Sequence, residues 1–259
     1  MTFVVTGGAG FIGSNLVVEL VNQGWKVTVV DNFHTGSMEN LADVKDKVKV
    51  IKADSGELAS LNLGKVDVIF HDGIYSSSPM YKENPSLVSK AISDAIKVFE
   101  FACKVNANVI FASSSSIYNG LPTPHKEEMV TRVMDYYTEA RVAIERLAEL
   151  YHKLRGLRAI GLRYFSVYGP REKAKGKYAN IVTQFLLKMK RGERPVIYGD
   201  GNQTRDFIFV GDVVKANLLA WQSNVDFGIF NVGTGVATTF NKVIKLLNEK
   251  LGTAIEPVY

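Results

Sequence analysis

The stretch FVVTGGAGFIGSNLVVELVNQG, Phe3–Gly24, decides the fold of this chain. It opens with an apolar, β-branched run at Phe3–Thr6, which predicts a short buried strand. A glycine-rich turn follows, and then an amphipathic segment that predicts a helix ending at Gly24. We expect a second strand over Lys26–Val30, followed by Asp31. This order of elements predicts the first strand–helix–strand unit of a parallel sheet.

The glycines of the turn follow the pattern of a dinucleotide-binding site. Gly8, Gly10 and Gly13 fit G-x-G-x-x-G between a predicted strand and a predicted helix. Such glycines allow a tight turn and let backbone N–H groups approach a pyrophosphate, which the positive end of the helix dipole also attracts. Asp31 lies about 20 residues further on, where a carboxylate accepts hydrogen bonds from both ribose hydroxyls. The candidate cofactor-binding residues of the turn are Gly7, Gly10, Phe11, Ile12 and Gly13.

The residues around Asp31 favour NAD over NADP as the cofactor. The Asp31 carboxylate would repel a 2′-phosphate, and the segment NFHTG, Asn32–Gly36, has no Arg or Lys to hold one. Asn32 and Gly36 are therefore further candidates for NAD binding. A glycine-rich turn that binds no ligand is the alternative to this interpretation.

Strand and helix patterns alternate along the rest of the chain. This alternation predicts an α/β fold with a doubly wound (Rossmann) parallel sheet, in which ligands bind beyond the carboxyl ends of the strands. We expect residues 1–165, joined by about 207–233, to form an NAD-binding Rossmann domain. A smaller, interleaved substrate-binding lobe would comprise residues 166–206 and 234–259.

Composition and charge argue against several classes of protein. The chain has 259 residues and a net charge of +5, which suits an acidic ligand such as a nucleotide. We expect no membrane partner, because no apolar run reaches the length of a membrane span and the chain opens directly into a predicted strand. The single cysteine, Cys103, excludes an intrachain disulfide, so a cytoplasmic location is the default expectation. The basic run Lys188–Arg194 lacks interleaved aromatic residues and is interpreted as a solvated helix end, not a nucleic-acid site.

Two further kinds of site are not expected. The four histidines, His34, His71, His125 and His152, are scattered without the spacing of metal ligands, so we predict no metal. The serine run Ser113–Ser116 lacks a G-x-S-x-G elbow and a partnered histidine, which argues against a hydrolase.

A tyrosine and an arginine at the start of a predicted helix are candidates for catalysis. In the segment YYTEAR, Tyr136–Arg141, the side chains of Tyr137 and Arg141 are four residues apart and therefore share one face of the helix. A nearby cation favours the phenolate form of a tyrosine, so Tyr137 could act as a general base toward a sugar hydroxyl. Taken alone the spacing is common, and a solvated helix face is the alternative.

Together these motifs resemble the extended short-chain dehydrogenase/reductase superfamily, and most closely its NAD-dependent nucleotide-sugar epimerases, such as the UDP-glucose 4-epimerases. The matching segments occur in the same order along the chain. They are TGGAGFIGS at Thr6–Ser14, VDNFHTG at Val30–Gly36, Asp54, SSSSIY at Ser113–Tyr118, Tyr137, LRYFSVYGPR at Leu162–Arg171, YGDGNQTRDF at Tyr198–Phe207 and FNVGTG at Phe230–Gly235.

The resemblance implies epimerisation at C4 of a UDP-hexose, with catalytic roles for three residues. Ser114 would hydrogen-bond the reacting hydroxyl, and Tyr137 would take its proton as hydride passes from C4 to NAD. The 4-keto sugar would turn over in the pocket, and hydride would return to its other face. Arg141 stands where the family has its catalytic lysine.

The resemblance also implies binding roles at other positions. Arg205 would clamp the diphosphate of the UDP-sugar, and Asp54 would meet the adenine amino group of NAD. Two long predicted helices, Ser86–Val105 and Tyr136–Leu154, resemble the pair that forms the four-helix bundle of a homodimer in this family. The remaining cofactor-binding candidates are Ser55, Tyr137, Arg141 and Tyr164, and the substrate-binding candidates are Ser114, Ser116, Tyr137, Ser166 and Arg205.

The chain departs from the family pattern near the expected chemistry. Arg141 replaces the lysine, the usual H-L-A-A is HDGI at His71–Ile74, and Ser166 replaces an asparagine. Asp72 is thereby placed close to the expected nicotinamide site. The resemblance also predicts further residues after Tyr259, which would complete the substrate lobe.

Two alternatives to an epimerase are therefore retained. A nucleotide-sugar dehydratase or decarboxylase is one, although the dehydratases carry an Asp-Glu pair where this chain has Ser115 and Ser116. The other is a non-catalytic protein that binds NAD and a nucleotide sugar, for which Arg141, Asp72 and the short C-terminus are the indications.

Overall fold

The architecture is an α/β fold of two sheets. The computed structural model describes residues 1–259. The strands are β1 (Thr2–Thr6), β2 (Lys26–Asp31), β3 (Lys49–Lys52), β4 (Val68–His71), β5 (Asn108–Ser114), β6 (Ala159–Tyr164), β7 (Ser166–Tyr168), β8 (Thr204–Phe209), β9 (Phe227–Val232) and β10 (Ala237–Thr239). The α-helices are α1 (Phe11–Asn22), α2 (Ser78–Glu83), α3 (Leu87–Val105), α4 (Tyr136–Arg155), α5 (Ile181–Lys190), α6 (Val210–Gln222) and α7 (Phe240–Leu251).

Seven of the strands form one parallel sheet in the order β3-β2-β1-β4-β5-β6-β9. The order reverses beside β1, where Thr6 pairs with Val30 of β2 on one side and with His71 of β4 on the other. Gly7, Asp31 and Asp72 follow these three residues at the same level, so they meet at one edge of the sheet. A reversal of strand order opens a crevice at the carboxyl ends, where ligands bind in such folds.

Helices cover both faces of this sheet, which confirms the predicted doubly wound fold. On one face α1 and α6 pack over Phe3 and Phe70, and Trp221 of α6 belongs to the same apolar cluster. On the other face α3 and α4 pack over Phe111 of β5, and Phe99 of α3 belongs to the same apolar cluster. Strands buried on both faces read as nearly continuous apolar runs, which is why β1 and β4 are so evident in the sequence.

The smaller lobe contains the sheet β10-β8-β7 and the helices α5 and α7. Its own apolar cluster is small and includes Phe185, Met189 and Val243. Helix α6 and strand β9 lie between these lobe segments in the chain but pack on the main sheet. No helix combines the length and the apolarity that crossing a membrane requires.

Candidate active site

A cleft of about 390 Å³ lies at the carboxyl ends of the strands of the main sheet. It is lined by nearly all the residues that the sequence indicated, with the exceptions of Asp54 and Arg205. The indicated residues that line it are Gly7, Gly10, Phe11, Ile12, Gly13, Asp31, Asn32, Gly36, Ser55, Ser114, Ser116, Tyr137, Arg141, Tyr164 and Ser166.

The glycine-rich turn has the geometry of a pyrophosphate cradle. Gly7 has a φ of +67°, and a Cβ there would lie 2.7 Å from the backbone nitrogen of Gly73. A Cβ at Gly13 would overlap the carbonyl of Gly7, so the turn and α1 pack more closely than any larger residue allows. Helix α1 begins at Phe11 after Gly10, with no side chain capping its first turn. Its free N–H groups therefore remain available to an anion.

Asp31 fits the adenosine ribose of NAD. Its carboxylate is buried and accepts hydrogen bonds from the backbone N–H groups of Ala9 at 2.9 Å and Phe33 at 2.7 Å. Burial raises the pKa of Asp31, and these backbone hydrogen bonds oppose the rise. Gly36 packs against the same carboxylate, since a Cβ there would lie 2.8 Å from Asp31 Oδ1. Each carboxylate oxygen retains a lone pair for a ribose hydroxyl.

Asp54 lies just outside the cleft lining and is already engaged. Its carboxylate accepts a hydrogen bond from Asn32 Nδ2 at 2.7 Å and lies 3.0 Å from Lys90 Nζ. The hydrogen bond from Asn32, followed by the Lys90 ammonium, lowers the pKa of Asp54. Asp54 thus orients Asn32 of the cleft, and its contact with adenine stays a prediction.

Ser114 and Tyr137 reach the cleft from neighbouring elements. Ser114 ends β5, and its Oγ accepts a hydrogen bond from the backbone N–H of Ser116 at 3.1 Å. Its hydroxyl hydrogen is therefore free to donate. Tyr137 lies in the first turn of α4, which Asp135 caps by accepting a hydrogen bond from the Thr138 N–H at 2.8 Å. Both side chains are nearly buried and line the cleft.

Arg141 packs beneath Tyr137, as the spacing predicted, but its hydrogen bonds go to the backbone. Its guanidinium carbon lies 4.9 Å from the centroid of the Tyr137 ring. Nη1 donates to the carbonyl of Ala112 at 2.9 Å, and Nη2 donates to the carbonyl of Tyr75 at 2.9 Å. The guanidinium therefore joins β5 to the loop after β4, and a lysine ammonium lacks the planar fork that spans such acceptors.

Asp72 brings a carboxylate into the cleft beside Tyr164. The Tyr164 hydroxyl donates to its Oδ1 at 3.3 Å, and Asn217 Nδ2 donates to the Tyr164 oxygen at 2.9 Å. Burial raises the pKa of Asp72 to about 7, against the opposing effects of the Tyr164 hydrogen bond and the Arg141 charge. Burial also raises the pKa of Tyr164 well above its ordinary value, with the Asp72 charge adding to the rise.

Arg205 is not brought to the cleft. It lies on β8 in the smaller lobe, is exposed, and donates to the carbonyl of its neighbour Thr204 at 2.8 Å. Its guanidinium carbon lies 5.8 Å from the centroid of the Phe240 ring. A role in clamping a diphosphate therefore stays a prediction.

Several residues that line the cleft were not identified from the sequence. They come from the loop after β4 and from the loop between β7 and α5. The serine run that follows Tyr75 was the one local signal, because it repeats the hydroxyl-rich character of Ser113–Ser116 at the next strand end. The residues missed are Tyr75, Ser76, Ser77, Ser78, Glu172, Lys175, Tyr178 and Asn180.

Fold and cleft together define a dinucleotide-dependent enzyme of the short-chain dehydrogenase/reductase type. The family model of the NAD dependent epimerase/dehydratase family matches residues 3–233. The chain therefore belongs to that family, and NAD is its cofactor.

Similar proteins cover almost the whole chain. A putative UDP-glucose 4-epimerase from Methanocaldococcus jannaschii is 34% identical over an alignment of 262 residues that covers 99% of this chain and 84% of that protein. Among solved structures, the UDP-glucose 4-epimerase of Thermotoga maritima with UDP-glucose has a TM-score of 0.93 and 34% identity, covering 100% of this chain and 85% of its own. The UDP-N-acetylglucosamine 4-epimerase of Methanobrevibacter ruminantium, in complex with UDP-N-acetylmuramic acid, has the same TM-score of 0.93 and 34% identity, with 100% and 84% covered.

Proposed function

We propose that this protein epimerises a UDP-hexose at C4. One observation carries the proposal: Ser114, Tyr137 and Arg141 line the same cleft as the glycine-rich turn and Asp31. An acid–base pair for a sugar hydroxyl therefore shares one cavity with a site for NAD. The similar proteins named above, which act on UDP-sugars, support the choice of substrate.

Each catalytic side chain has a defined task. Bound NAD would supply the hydride acceptor for the sugar carbon and the source of the returning hydride. Tyr137 Oη takes the proton of the sugar hydroxyl and later gives it back, while the free hydroxyl hydrogen of Ser114 bonds the reacting oxygen. Arg141, 4.9 Å from the Tyr137 ring centroid, stabilises the phenolate electrostatically. The buried position of both residues excludes water and strengthens this attraction.

The test is a coupled assay that follows conversion of UDP-galactose to UDP-glucose, with bound NAD quantified in the same sample. Loss of a general base costs about 10²- to 10⁴-fold in rate, so we expect Tyr137→Phe to lose that much turnover while retaining NAD. Tyr136→Phe is the matched control, because Tyr136 is the exposed neighbour on the same helix turn. Undiminished turnover in Tyr137→Phe would refute the mechanism, and turnover of no UDP-hexose by the wild type would refute the substrate.

A cytoplasmic homodimer is part of the same proposal. Leu150 and Leu154 are exposed on α4, with 51% and 77% of their surface accessible, next to the helix α3 that packs beside it. A second copy of this helix pair would cover them. Sedimentation of the wild type should give a dimer, and Leu150→Glu with Leu154→Glu should give a monomer. A wild-type monomer at micromolar concentration would contradict the homodimer.

A further inference from the structure

Unpaired polar atoms are concentrated in the catalytic part of the cleft. Four buried side-chain atoms of the protein make no hydrogen bond: His71 Nε2, Asp72 Oδ2, Ser77 Oγ and Arg141 Nε. Asp72, Ser77 and Arg141 all line the cleft. Buried polar atoms are normally paired, because leaving one unpaired costs its full desolvation energy. Three such atoms around one cavity indicate groups that await a polar ligand.

The chemistry of these atoms defines the ligand. Asp72 Oδ2 accepts hydrogen bonds when the carboxyl is ionised and can donate one when it is protonated, Arg141 Nε is a donor, and Ser77 Oγ can act as either. Asp72 Oδ1 and both terminal nitrogens of Arg141 are already engaged by protein groups. One free acceptor beside free donors suits the hydroxyl groups of a sugar ring, which both donate and accept. A phosphate would instead be repelled by the ionised form of Asp72.

The backbone around Asp72 connects both halves of the site. A Cβ at Gly7 would lie 2.8 Å from the carbonyl carbon of Asp72, so this residue packs against the dinucleotide-binding turn. The Asp72 side chain contacts Tyr164 of β6. Tyr75 lies three residues after Asp72 in the chain, and its carbonyl accepts a hydrogen bond from Arg141. Asp72 therefore lies where the cofactor turn meets the catalytic side chains.

Neither an ion pair, nor a metal site, nor a purely structural role accounts for the Asp72 carboxylate. It forms no ion pair with Arg141, whose terminal nitrogens bond backbone carbonyls instead. No group of three or more His, Cys, Asp and Glu side chains surrounds it to hold a metal ion. A purely structural role would leave no reason for Oδ2 to be buried and unpaired.

We propose that Asp72 Oδ2, assisted by Arg141 Nε, binds the hydroxyl groups of a sugar ring. That ring is either the nicotinamide-side ribose of NAD or the hexose of the substrate. The second source rests on the proposed function, whereas the first requires only that the protein binds NAD. The family pattern has a leucine where this chain has Asp72. The proposed role of Asp72 is therefore particular to this chain.

Calorimetric titration of Asp72→Leu and Asp72→Asn with three probes tests the proposal. The probes are NAD, ADP, and UDP-glucose added to NAD-saturated protein. ADP carries only the adenine-side ribose and should bind all variants equally. We expect Asp72→Leu to weaken binding of NAD or of UDP-glucose at least tenfold, and Asp72→Asn, which keeps an acceptor oxygen, to weaken it less. Asp46→Asn, at an exposed carboxylate outside the cleft, is the control.

The outcomes separate the two sources and the structural alternative. A loss confined to NAD identifies the ribose, and a loss confined to UDP-glucose identifies the hexose. Affinities within twofold of wild type for all three probes would overturn the proposal. It would also be overturned if Asp72→Leu lowered the melting temperature without weakening either ligand. Absence of UDP-glucose binding by the wild type would count against the proposed substrate but leaves the NAD titration decisive.

Discussion

Replacing Asp72 by asparagine should change the pH dependence of stability in a defined direction. Burial raises the pKa of this carboxyl from 3.8 to about 7 in the folded chain. The folded protein therefore holds a proton between pH 4 and pH 7 that the unfolded chain releases. Stability falls as the pH rises through this range, and the loss is complete above the folded pKa of about 7. Asparagine does not titrate and removes the loss.

The magnitude follows from the two pKa values. Each pH unit between them is worth about 1.4 kcal/mol, so the whole difference is about 4 kcal/mol as an upper limit. Raising the pH from 5 to 8 covers about 3 kcal/mol of this loss of stability, because the unfolded carboxyl is already ionised at pH 5. Asp72→Asn should therefore gain about 3 kcal/mol relative to wild type when the pH is raised from 5 to 8.

Urea unfolding at the two pH values measures this gain, without added cofactor so that binding does not contribute. With a urea dependence of about 3 kcal/mol per molar, the midpoint of the variant should move up by about 1 M relative to wild type. Asp46→Asn, at an exposed carboxylate, serves as the control. Parallel pH profiles for wild type and Asp72→Asn would refute the reasoning, because they would show that Asp72 is ionised in the folded protein throughout.

Three other substitutions have defined outcomes. Arg141→Ala removes the cation beneath Tyr137, so turnover measured at saturating NAD should fall about 10²-fold or more; unchanged turnover would exclude Arg141 from the mechanism. Gly13→Ala places a methyl group against the Gly7 carbonyl, so calorimetry should show at least a tenfold loss of NAD affinity; wild-type affinity would contradict the close packing of turn and helix. Glu145→Gln breaks the buried ion pair in which Arg163 Nη2 lies 2.8 Å from Glu145 Oε2. Denaturant unfolding should therefore show a loss of about 3 kcal/mol in the free energy of unfolding, and a loss below about 1 kcal/mol would be inconsistent with a buried ion pair.

The sequence predicted those parts of the fold in which local pattern and burial agree. Strands β1 and β4 are short apolar runs buried on both faces, so their pattern is visible in the sequence. The glycine-rich turn is also visible there, because its residues are contiguous in the chain. Helix α2, Ser78–Glu83, was not foreseen, because six residues are too few to show a helical period. The three-stranded sheet of the lobe was also missed, since two of its strands have only three residues.

The candidate site was predictable in its residue types but not in its connections. Tyr137 and Arg141 lie on one helix, so their proximity follows from the helical period. The partners of Arg141 are backbone carbonyls, and a carbonyl group has no signature in a sequence. Asp72 and Tyr164 are 92 residues apart, and the Tyr164 hydroxyl that joins them also bonds Asn217 of α6, so the contact depends on tertiary packing. Arg205 fitted a motif, yet its strand lies in the other sheet.

Arg141 and Asp72, the two unusual charged residues of the cleft, are linked through the backbone. Arg141 holds the carbonyl of Tyr75, and Tyr75 belongs to the same loop as Asp72. The position of the Asp72 carboxylate therefore depends on the guanidinium that secures this loop. A lysine at 141 could approach one carbonyl as a point charge but could not brace both β5 and the loop in one plane. The arginine is thus better understood as part of an altered arrangement that includes Asp72 than as an isolated replacement of a lysine.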